Sequence, residues 1–274
     1  MILSLAARSR FIEVEHARVQ ESKNFDPALH ELLDGVLDDF AEFHRLTAEE
    51  ILADYLKFVR AYSKDLKVFW ASGKYPLELE SDQRPIDRIS YDVALIVSTL
   101  VSVSRFRMMK RIAEIGAAGN LGKVALIGIG PGLELDILKA NAPGCDLMGF
   151  DPNVSGFAEH RFGKAAVRAE IFDGGPPAYD HIFAIELLEH LDDPDGFVSA
   201  CHGALKRGGH FVCTTAVNMP QFDHVTNFED EVFEKSCSQL GFEQLERLEL
   251  NHDYMSPGEE FAAKNVFYVL RKTV

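Results

Sequence analysis

The spacing of apolar residues predicts helices in the first part of the chain. From Pro27 to Phe43, leucine, valine and phenylalanine recur at steps of three and four, which places them on one helix face. A second helix is predicted to begin at Thr47, because Glu50 follows in a capping-box pattern, and to end near Gly73. A third pattern predicts one long helix from residue 87 to about residue 118.

Beyond residue 122 the pattern changes, and short apolar runs alternate with helical spacing. Such alternation is typical of a sheet of parallel strands connected by helices. Two final apolar runs follow each other without a helix between them, and they predict an antiparallel pair at the sheet edge. The predicted strands begin at Val124 and then cover residues 146–150, 166–172, 181–185, 210–214, 242–250 and 262–271, and the predicted helices cover residues 133–140, 194–205 and 228–240.

A glycine-rich turn directly follows the first predicted strand. Gly128, Gly130 and Gly132 permit a sharp backbone turn and a close approach to a ligand, and a helical pattern begins at Leu133. Together these features form a nucleotide-binding turn, in which backbone N–H groups at a helix start face the ligand. A dinucleotide fingerprint needs glycine at its sixth position, where this chain has Leu133. A nicotinamide-dependent oxidoreductase is therefore disfavoured.

An acidic residue stands at the end of the second predicted strand. Asp151 lies about twenty residues past the glycine turn, where a carboxylate can accept both ribose hydroxyls of a nucleotide cofactor. The alternative interpretation is a solvated turn residue before Pro152. The glycine turn upstream favours the ribose role.

Two further segments follow the glycine turn at regular distances. Residues 179–191 place Glu186 and His190 after an apolar strand pattern, and residues 204–211 contain a Leu-Lys-Arg-Gly-Gly turn before the next strand. Glycines permit a tight helix-to-strand reversal there. In this order and spacing, the set resembles the class I S-adenosylmethionine (SAM)-dependent methyltransferases, and in particular the small-molecule type similar to the ubiquinone-biosynthesis-like enzymes. The resemblance covers roughly residues 87–274.

The resemblance implies an α/β fold with a Rossmann-like seven-stranded methyltransferase sheet, helices on both faces, and here an N-terminal helical extension. It also implies SAM as the cofactor and S-adenosylhomocysteine (SAH) as the product. Asp173 resembles the residue that bonds the adenine amino group, although Asp173-Gly174 is also an ordinary turn sequence. The implied cofactor-binding residues are Gly128, Gly130, Pro131, Gly132, Asp151, Pro152, Asp173 and Glu186.

One position departs from the family pattern. Family members usually carry Asp or Glu two residues before the first glycine, where the carboxylate helps to organise the methionine end of SAM. This chain has Leu126 at that position. Glu186 could meet the amino end of SAM or a cationic substrate, or it could be a solvated loop carboxylate. The sequence leaves open what holds the methionine end.

The implied reaction is in-line transfer of a methyl group from a sulfonium to a nucleophile, which needs alignment and often a base. His190 and His224 follow the fourth and fifth predicted strands, whose carboxyl ends share one cleft. His190 could instead be structural, and the loop around His224 could cap the next helix through Thr226 or Asn227. His224 is the preferred base. Glu186, His190, Asp223 and His224 could converge, but no metal site is expected, because the spacing gives no zinc signature.

Charge and composition limit the partners. A net charge of -15 disfavours a surface that follows phosphates, and therefore disfavours nucleic acid as a substrate. The four cysteines form no C-x-x-C pair and are expected to be free thiols in a reducing compartment. Neither a signal peptide nor a run of transmembrane length is visible. We expect a soluble, cytoplasmic protein that acts on a small molecule without a membrane partner, and the sequence leaves a homodimer open.

Two parts of the chain are predicted. Residues 1–86 form a helical extension or lid, residues 87–274 form the methyltransferase domain, and the charged segment 77–86 links them. The extension packs on the main domain or on a second subunit, and as a lid it would also cover the substrate. The predicted function is methyl transfer to N or O of a small molecule in specialised metabolite biosynthesis. The alternative is a non-catalytic SAM-fold scaffold, which Leu126 favours and Asp151 opposes.

Overall fold

A central β-sheet organises the molecule in the computed structural model, which describes residues 1–75, 87–252 and 262–274. Its strands are β1 (Lys123–Ile127), β2 (Asp146–Phe150), β3 (Val167–Arg168), β4 (Tyr179–Ala184), β5 (Leu205–Val217), β6 (Phe242–Asn251) and β7 (Lys264–Lys272). These seven strands are arranged in the order β3-β2-β1-β4-β5-β7-β6.

Strands β1 to β5 pair in parallel, and β7 lies antiparallel between β5 and β6. The predicted α/β class, the parallel alternation and the antiparallel final pair are therefore confirmed. Strand β1 pairs with β2 on one side and with β4 on the other. The strand order reverses there, and in open α/β sheets such a reversal opens a crevice at the carboxyl ends of the strands.

Helices cover both faces of this sheet. They are α1 (Ile2–Ala6), α2 (Arg10–Glu21), α3 (Pro27–His44), α4 (Ala48–Ser72), α5 (Arg88–Val101), α6 (Val103–Ala117), α7 (Leu133–Asn141), α8 (Gly156–Phe162), α9 (Pro194–Ala204) and α10 (Asp230–Leu240). The buried cluster on one face includes residues of α1 to α8, whereas the cluster on the other face includes residues of α9 and α10.

Capping residues explain where α3 and α4 begin. The Asp26 carboxylate accepts the Leu29 N–H at 3.1 Å, and Pro27 occupies the first turn of α3. At α4 both halves of the capping box form: Glu50 N–H donates to Thr47 Oγ1 at 3.3 Å, and Thr47 N–H donates to the Glu50 carboxylate at 2.8 Å. The two helices predicted in this region are confirmed.

The single helix predicted over residues 87–118 is wrong, because the chain forms α5 and α6, which meet at 88°. Ser102 adopts an extended backbone (φ -121°, ψ 120°) and its hydroxyl accepts the Arg105 N–H at 3.4 Å, so that it caps α6. Asp87 caps α5 by accepting the Ser90 N–H at 3.0 Å. Apolar spacing continues through the bend, and spacing alone therefore does not reveal it.

Strands β3 and β5 differ most in length from the prediction. Strand β3 is limited to Val167–Arg168, where residues 166–172 were predicted, because only these two residues pair with β2. Strand β5 begins at Leu205, directly after α9, where a start at residue 210 was predicted. The glycine turn expected before β5 is thus absorbed into the strand, whose register against β4 is irregular there.

Helix α10 begins later than predicted, at Asp230. Thr226 and Asn227, which were candidate caps, instead bond within the surrounding loops. The Thr226 hydroxyl donates to the Leu191 carbonyl oxygen at 3.4 Å, and the Asn227 amide oxygen accepts the Asn218 N–H at 2.8 Å. The first bond links the loop between β5 and α10 to the segment before α9, and the second connects the two ends of that loop. Two other predicted segments lie outside the described residues: the linker over residues 77–86 and residues 253–261 of the loop before β7.

The N-terminal helices share a core with the sheet. Leu33 and Phe40 of α3 belong to the same buried cluster as Leu126 of β1, and the Phe40 ring lies 5.0 Å from the Phe157 ring of α8, between centroids. Packing of the extension on the main domain is therefore observed, whereas the division of the chain at residue 86 stays a prediction. Among the described helices, none is by itself long and apolar enough to cross a membrane, and α5 and α6 reach that length and composition only as a bent pair.

Candidate active site

The glycine turn lies at the carboxyl end of β1, where the strand order reverses. Gly128 and Gly132 have positive φ angles of 72° and 93°. A Cβ at Gly132 would lie 2.6 Å from the Phe162 ring, and a Cβ at Gly128 would lie 2.9 Å from the Leu187 side chain. A side chain at either position would strain the backbone and would also force the Leu187 or Phe162 side chain to move. The turn leads directly into α7, whose first backbone N–H groups face the crevice.

Asp151 holds this turn in place from the end of β2. Its carboxylate is buried and accepts the Gly130 N–H at 3.1 Å and the Asn153 N–H at 2.7 Å. The two bonds use one carboxylate oxygen each, and every such oxygen has a further lone pair. Asp151 is therefore positioned beside the turn with acceptor capacity left for a ligand.

A cavity lies above the turn, and we refer to it as the glycine-turn cavity. Most of the predicted cofactor residues line it, namely Gly128, Gly130, Pro131, Asp151 and Glu186. Gly132 lies at its edge as the first residue before α7. Pro152 and Asp173 are exposed and do not line this cavity, and their cofactor contacts stay predictions.

Glu134 also lines the glycine-turn cavity, and sequence reasoning missed it. It stands in the first turn of α7, and burial raises the pKa of its carboxyl to about 7. Leu126 of β1 occupies the position where the family usually has an acid, and its side chain is buried in the hydrophobic core. The available sequence signal was the position of an acidic residue in the first turn of a helix that follows the glycines.

Glu186 forms an ion pair with Arg105 of α6. Its backbone is left-handed (φ 48°), and its N–H donates to the Thr214 hydroxyl at 2.6 Å. That hydrogen bond fixes the chain as it leaves β4 and directs the carboxylate into the crevice. The Glu186–Arg105 pair stands between the glycine-turn cavity and a second cavity. Both side chains line both cavities.

We refer to the second cavity as the aromatic cavity. Its outer wall consists of side chains from α2, α4 and α5, among them Phe11, Tyr55, Phe58, Tyr62 and Tyr91. Its inner wall comes from the loops after β4 and β5. Helices α2 and α4 of the N-terminal extension therefore form one side of this cavity, whereas closure as a lid stays a prediction.

The structure brings the two predicted histidines together on the inner wall. His190 and His224 pack edge to face with their ring centroids 4.7 Å apart. His190 Nδ1 lies 3.2 Å from the Asp223 carbonyl oxygen, and His224 Nδ1 lies 2.6 Å from the Met219 carbonyl oxygen. Burial, and next the neighbouring His190, lowers the pKa of His224 to about 3, so that this ring is neutral.

Glu189 completes this group, and sequence reasoning missed it as well. Its side chain is 1% exposed, and burial raises the pKa of its carboxyl to about 7. One ligand atom each from Glu189, His190 and His224 lies within 4.8 Å of the others. The sequence predicted that His190 and His224 share one cleft, but it gave no sign that Glu189 is buried beside both of them.

Sequence comparison supports the interpretation of this crevice. Residues 126–211 match the family model of a methyltransferase domain. A ubiquinone biosynthesis O-methyltransferase from Burkholderia ambifaria is 32% identical over 101 residues, which are 36% of this chain and 41% of the relative. A protein of the same description from Alkalilimnicola ehrlichii is 28% identical over 113 residues, 41% of this chain and 44% of that relative. The chain thus spans less than half the length of these curated relatives.

Comparison with solved structures gives a neighbour of the same fold. A protein from Listeria monocytogenes assigned as an S-adenosylmethionine-dependent methyltransferase matches with a TM-score of 0.50 and 12% identity, over 62% of this chain and 99% of that one. The 1,6-didemethyltoxoflavin-N1-methyltransferase from Burkholderia thailandensis, crystallised with S-adenosylhomocysteine, has a TM-score of 0.49 and 12% identity over 80% of this chain and 91% of that one.

The sheet order, the glycine turn with its acidic partner and the matched family model define one class. Residues 126–211 match a methyltransferase domain, and they lie in a sheet whose strand order fits the class I SAM-dependent methyltransferases, which supports the resemblance predicted from the sequence. SAM is the cofactor of that class.

Proposed function

We propose that this protein is a SAM-dependent methyltransferase that methylates a hydroxyl oxygen of a small aromatic molecule, in specialised metabolite biosynthesis. Methyl transfer to nitrogen is the second candidate. The observation that carries the proposal is the junction of the two cavities, which share Tyr91, Leu95, Arg105, Glu186 and His190. A cofactor on the glycine turn and an acceptor between the aromatic walls would meet at this junction.

The glycine-turn cavity offers partners for the ribose and for the methionine end of SAM. Asp151 would accept the ribose hydroxyls, and the N–H groups at the start of α7 would face the polar end of the cofactor. Glu134 and Glu186 would flank the methionine ammonium group, while the Arg105 guanidinium would pair with its carboxylate. In this pose the methyl group is directed toward the aromatic cavity, which aligns the sulfonium with the acceptor.

The aromatic cavity supports an aromatic acceptor. Its outer wall offers Phe and Tyr rings, which favour stacked or edge-to-face contacts with another ring. Its inner wall offers His190 and Glu189, either of which can accept a hydrogen bond from the hydroxyl group of the acceptor. The O-methyltransferase name of the Burkholderia ambifaria relative is consistent with this choice of acceptor atom.

The first test is calorimetry with SAM and with SAH, followed by incubation with methyl-labelled SAM and a panel of phenols, catechols and aromatic amines. We expect binding of both nucleotides and label uptake by a hydroxylated aromatic compound. Binding of SAM without label uptake by the panel or by metabolite extracts would favour the non-catalytic scaffold. Failure of SAM and SAH to bind would contradict the proposal outright.

Glu134→Gln is expected to weaken SAM binding by about 1.5–3 kcal/mol, the value of a charged hydrogen bond, because the amide cannot pair ionically with the methionine ammonium group. Calorimetry with 5′-methylthioadenosine, which lacks the amino-acid end, provides the control. Its affinity should not change in the variant. Equal weakening of both ligands would show that Glu134 acts on the shape of the turn and does not replace the acid missing at Leu126.

The helices of the N-terminal extension are expected to gain protection when ligands bind. Because α4 contributes Tyr55, Phe58 and Tyr62 to the aromatic cavity, closure over an acceptor should slow amide exchange in α4 as well as in the glycine turn. Hydrogen exchange with and without SAH and acceptor measures this. Protection confined to residues 124–190 would reduce the extension to a packing element.

A further inference from the structure

We propose that Glu189, His190 and His224 form a binding site for a divalent transition-metal ion on the inner wall of the aromatic cavity. The ion would hold the acceptor hydroxyl, and this second part rests on the proposed methyl transfer. The site itself rests on the three side chains alone, and it can be tested without SAM or an acceptor.

Distances within the group are short enough for one ion. The three ligand atoms all lie within 4.8 Å of one another. Metal bonds to nitrogen and carboxylate oxygen are about 2.0–2.2 Å long, so that opposite ligand atoms can be up to about 4.4 Å apart. Small side-chain rotations would close the remaining difference.

Both imidazoles present a free nitrogen lone pair. The Met219 carbonyl oxygen lies 2.6 Å from His224 Nδ1, and a carbonyl can only accept, so that the proton is on Nδ1 and the lone pair on Nε2. His190 Nδ1 lies 3.2 Å from the Asp223 carbonyl oxygen and 3.4 Å from the Asp223 carboxylate. These two acceptors likewise place the proton of His190 on Nδ1 and leave the lone pair on Nε2. Carbonyl and carboxylate partners on the second nitrogen are the usual support of metal-binding histidines.

Glu189 provides evidence for a bound ion that is independent of the distances. Its Oε2 atom is buried and has no hydrogen-bond partner among the described residues. Buried carboxylate oxygens nearly always have a partner, because leaving one without a hydrogen bond in a low-dielectric site costs free energy. A bound cation would satisfy this oxygen and at the same time compensate the negative charge of the carboxylate.

The ligand set selects the class of ion. Two imidazole nitrogens and one carboxylate oxygen suit Zn²⁺, Mn²⁺, Fe²⁺ or Co²⁺, whereas Mg²⁺ and Ca²⁺ prefer oxygen ligands. Three protein ligands leave at least one coordination position open, as in catalytic sites. That position would face the aromatic cavity, which all three side chains line.

The role in the reaction follows from the open position. An acceptor hydroxyl bound there would have a lower pKa and release its proton to solvent. The oxygen lone pair would then form the new O–C bond while the S–C bond of SAM breaks, and its electron pair would remain on sulfur in neutral SAH. This assignment would leave neither histidine as the base.

The experiment is calorimetry of the full chain, stripped with EDTA, against ZnCl₂, MnCl₂ and MgCl₂ in the absence of SAM. We expect one high-affinity site for Zn²⁺ and no comparable site for Mg²⁺. The chain offers a matched control, because Glu159 and His160 form a second Glu-His pair at the end of α8, where His160 is exposed. Glu189→Gln/His190→Gln should weaken Zn²⁺ binding by at least about a hundredfold, and Glu159→Gln/His160→Gln should leave it unchanged.

Unchanged binding in Glu189→Gln/His190→Gln, or equal loss in both double variants, would overturn the site. His224→Gln provides an independent variant that must also lose the ion, and circular dichroism verifies that each variant is folded. SAM affinity is measured on the same samples. Zn²⁺ binding without SAM binding would contradict the proposed function and leave the site standing. Full methyl transfer by the EDTA-stripped protein would overturn the role of the ion in holding the acceptor.

Discussion

Replacing Asp151 by alanine is expected to weaken SAM binding by about 2–3 kcal/mol, which corresponds to roughly 30- to 150-fold in the dissociation constant. The substitution removes a carboxylate that would accept two ribose hydroxyls through charge-assisted hydrogen bonds. It also removes the acceptor of the Gly130 N–H, which lies 3.1 Å from the carboxylate and fixes the middle of the glycine turn. Both losses act in the same direction, and calorimetry with SAM and SAH measures their sum.

Two variants separate these contributions. Asp151→Asn keeps one acceptor oxygen for the Gly130 N–H but lacks the charge. We therefore expect its SAM affinity to lie between that of the wild type and that of the alanine variant. Asp146→Ala is the matched control, because Asp146 is exposed at the opposite end of the same strand β2. Wild-type SAM affinity in a folded Asp151→Ala protein, as judged by thermal unfolding, would disprove the ribose assignment.

Local sequence rules were sufficient for the glycine turn and its acidic partner. Glycines after a buried strand and an acid after the next strand are separated by short distances in sequence, and parallel pairing of β1 and β2 brings them together. Apolar spacing from Pro27 and the capping box at Thr47 likewise located α3 and α4, because both signals act within a few residues. These features could be predicted because the interacting groups are close in sequence or are related by regular strand pairing.

The acceptor side depended on contacts that sequence spacing does not encode. The 88° bend at Ser102 brings Tyr91 of α5 and Arg105 of α6 to the same crevice, and a continuous apolar pattern concealed that bend. The approach of His224 to Glu189 depends on backbone bonds, since Val225 N–H donates to the Glu189 carbonyl oxygen at 2.8 Å. Such long-range loop contacts are decided by tertiary packing.

The two acidic residues that sequence reasoning missed have a common physical explanation. Glu134 and Glu189 are each placed in sequence like ordinary helix or loop carboxylates, but Glu134 is half-buried in the glycine-turn cavity and Glu189 is fully buried, and burial raises the pKa of each carboxyl to about 7. Enclosed carboxyl groups with raised pKa values occur where a ligand or a cation is expected to supply the missing partner. Composition cannot reveal enclosure, and the structure was therefore needed to single them out.

Replacing His190 by glutamine is expected to lower the rate of methyl transfer by at least about a hundredfold while SAM affinity stays nearly unchanged. His190 lines both the glycine-turn cavity and the aromatic cavity, so it would lie between the cofactor and the acceptor. Of these two cavities, His224 lines the aromatic cavity alone. Glutamine keeps a comparable size and hydrogen-bonding capacity, but it can neither take a proton nor bind a transition metal as imidazole does.

His224→Gln distinguishes between the possible roles of the pair. A general base should have a pKa near the working pH, and burial lowers the pKa of His224 to about 3, so the structure moves the preferred base from His224 to His190. If His190 acts as a base without a metal ion, His224→Gln should reduce turnover far less than His190→Gln. If the pair binds a metal ion, both substitutions should cause comparable losses of turnover.

Initial rates at saturating SAM measure the difference, with the acceptor identified by label uptake and with His160→Gln as the control. Full turnover in both variants would mean that catalysis here depends on alignment alone.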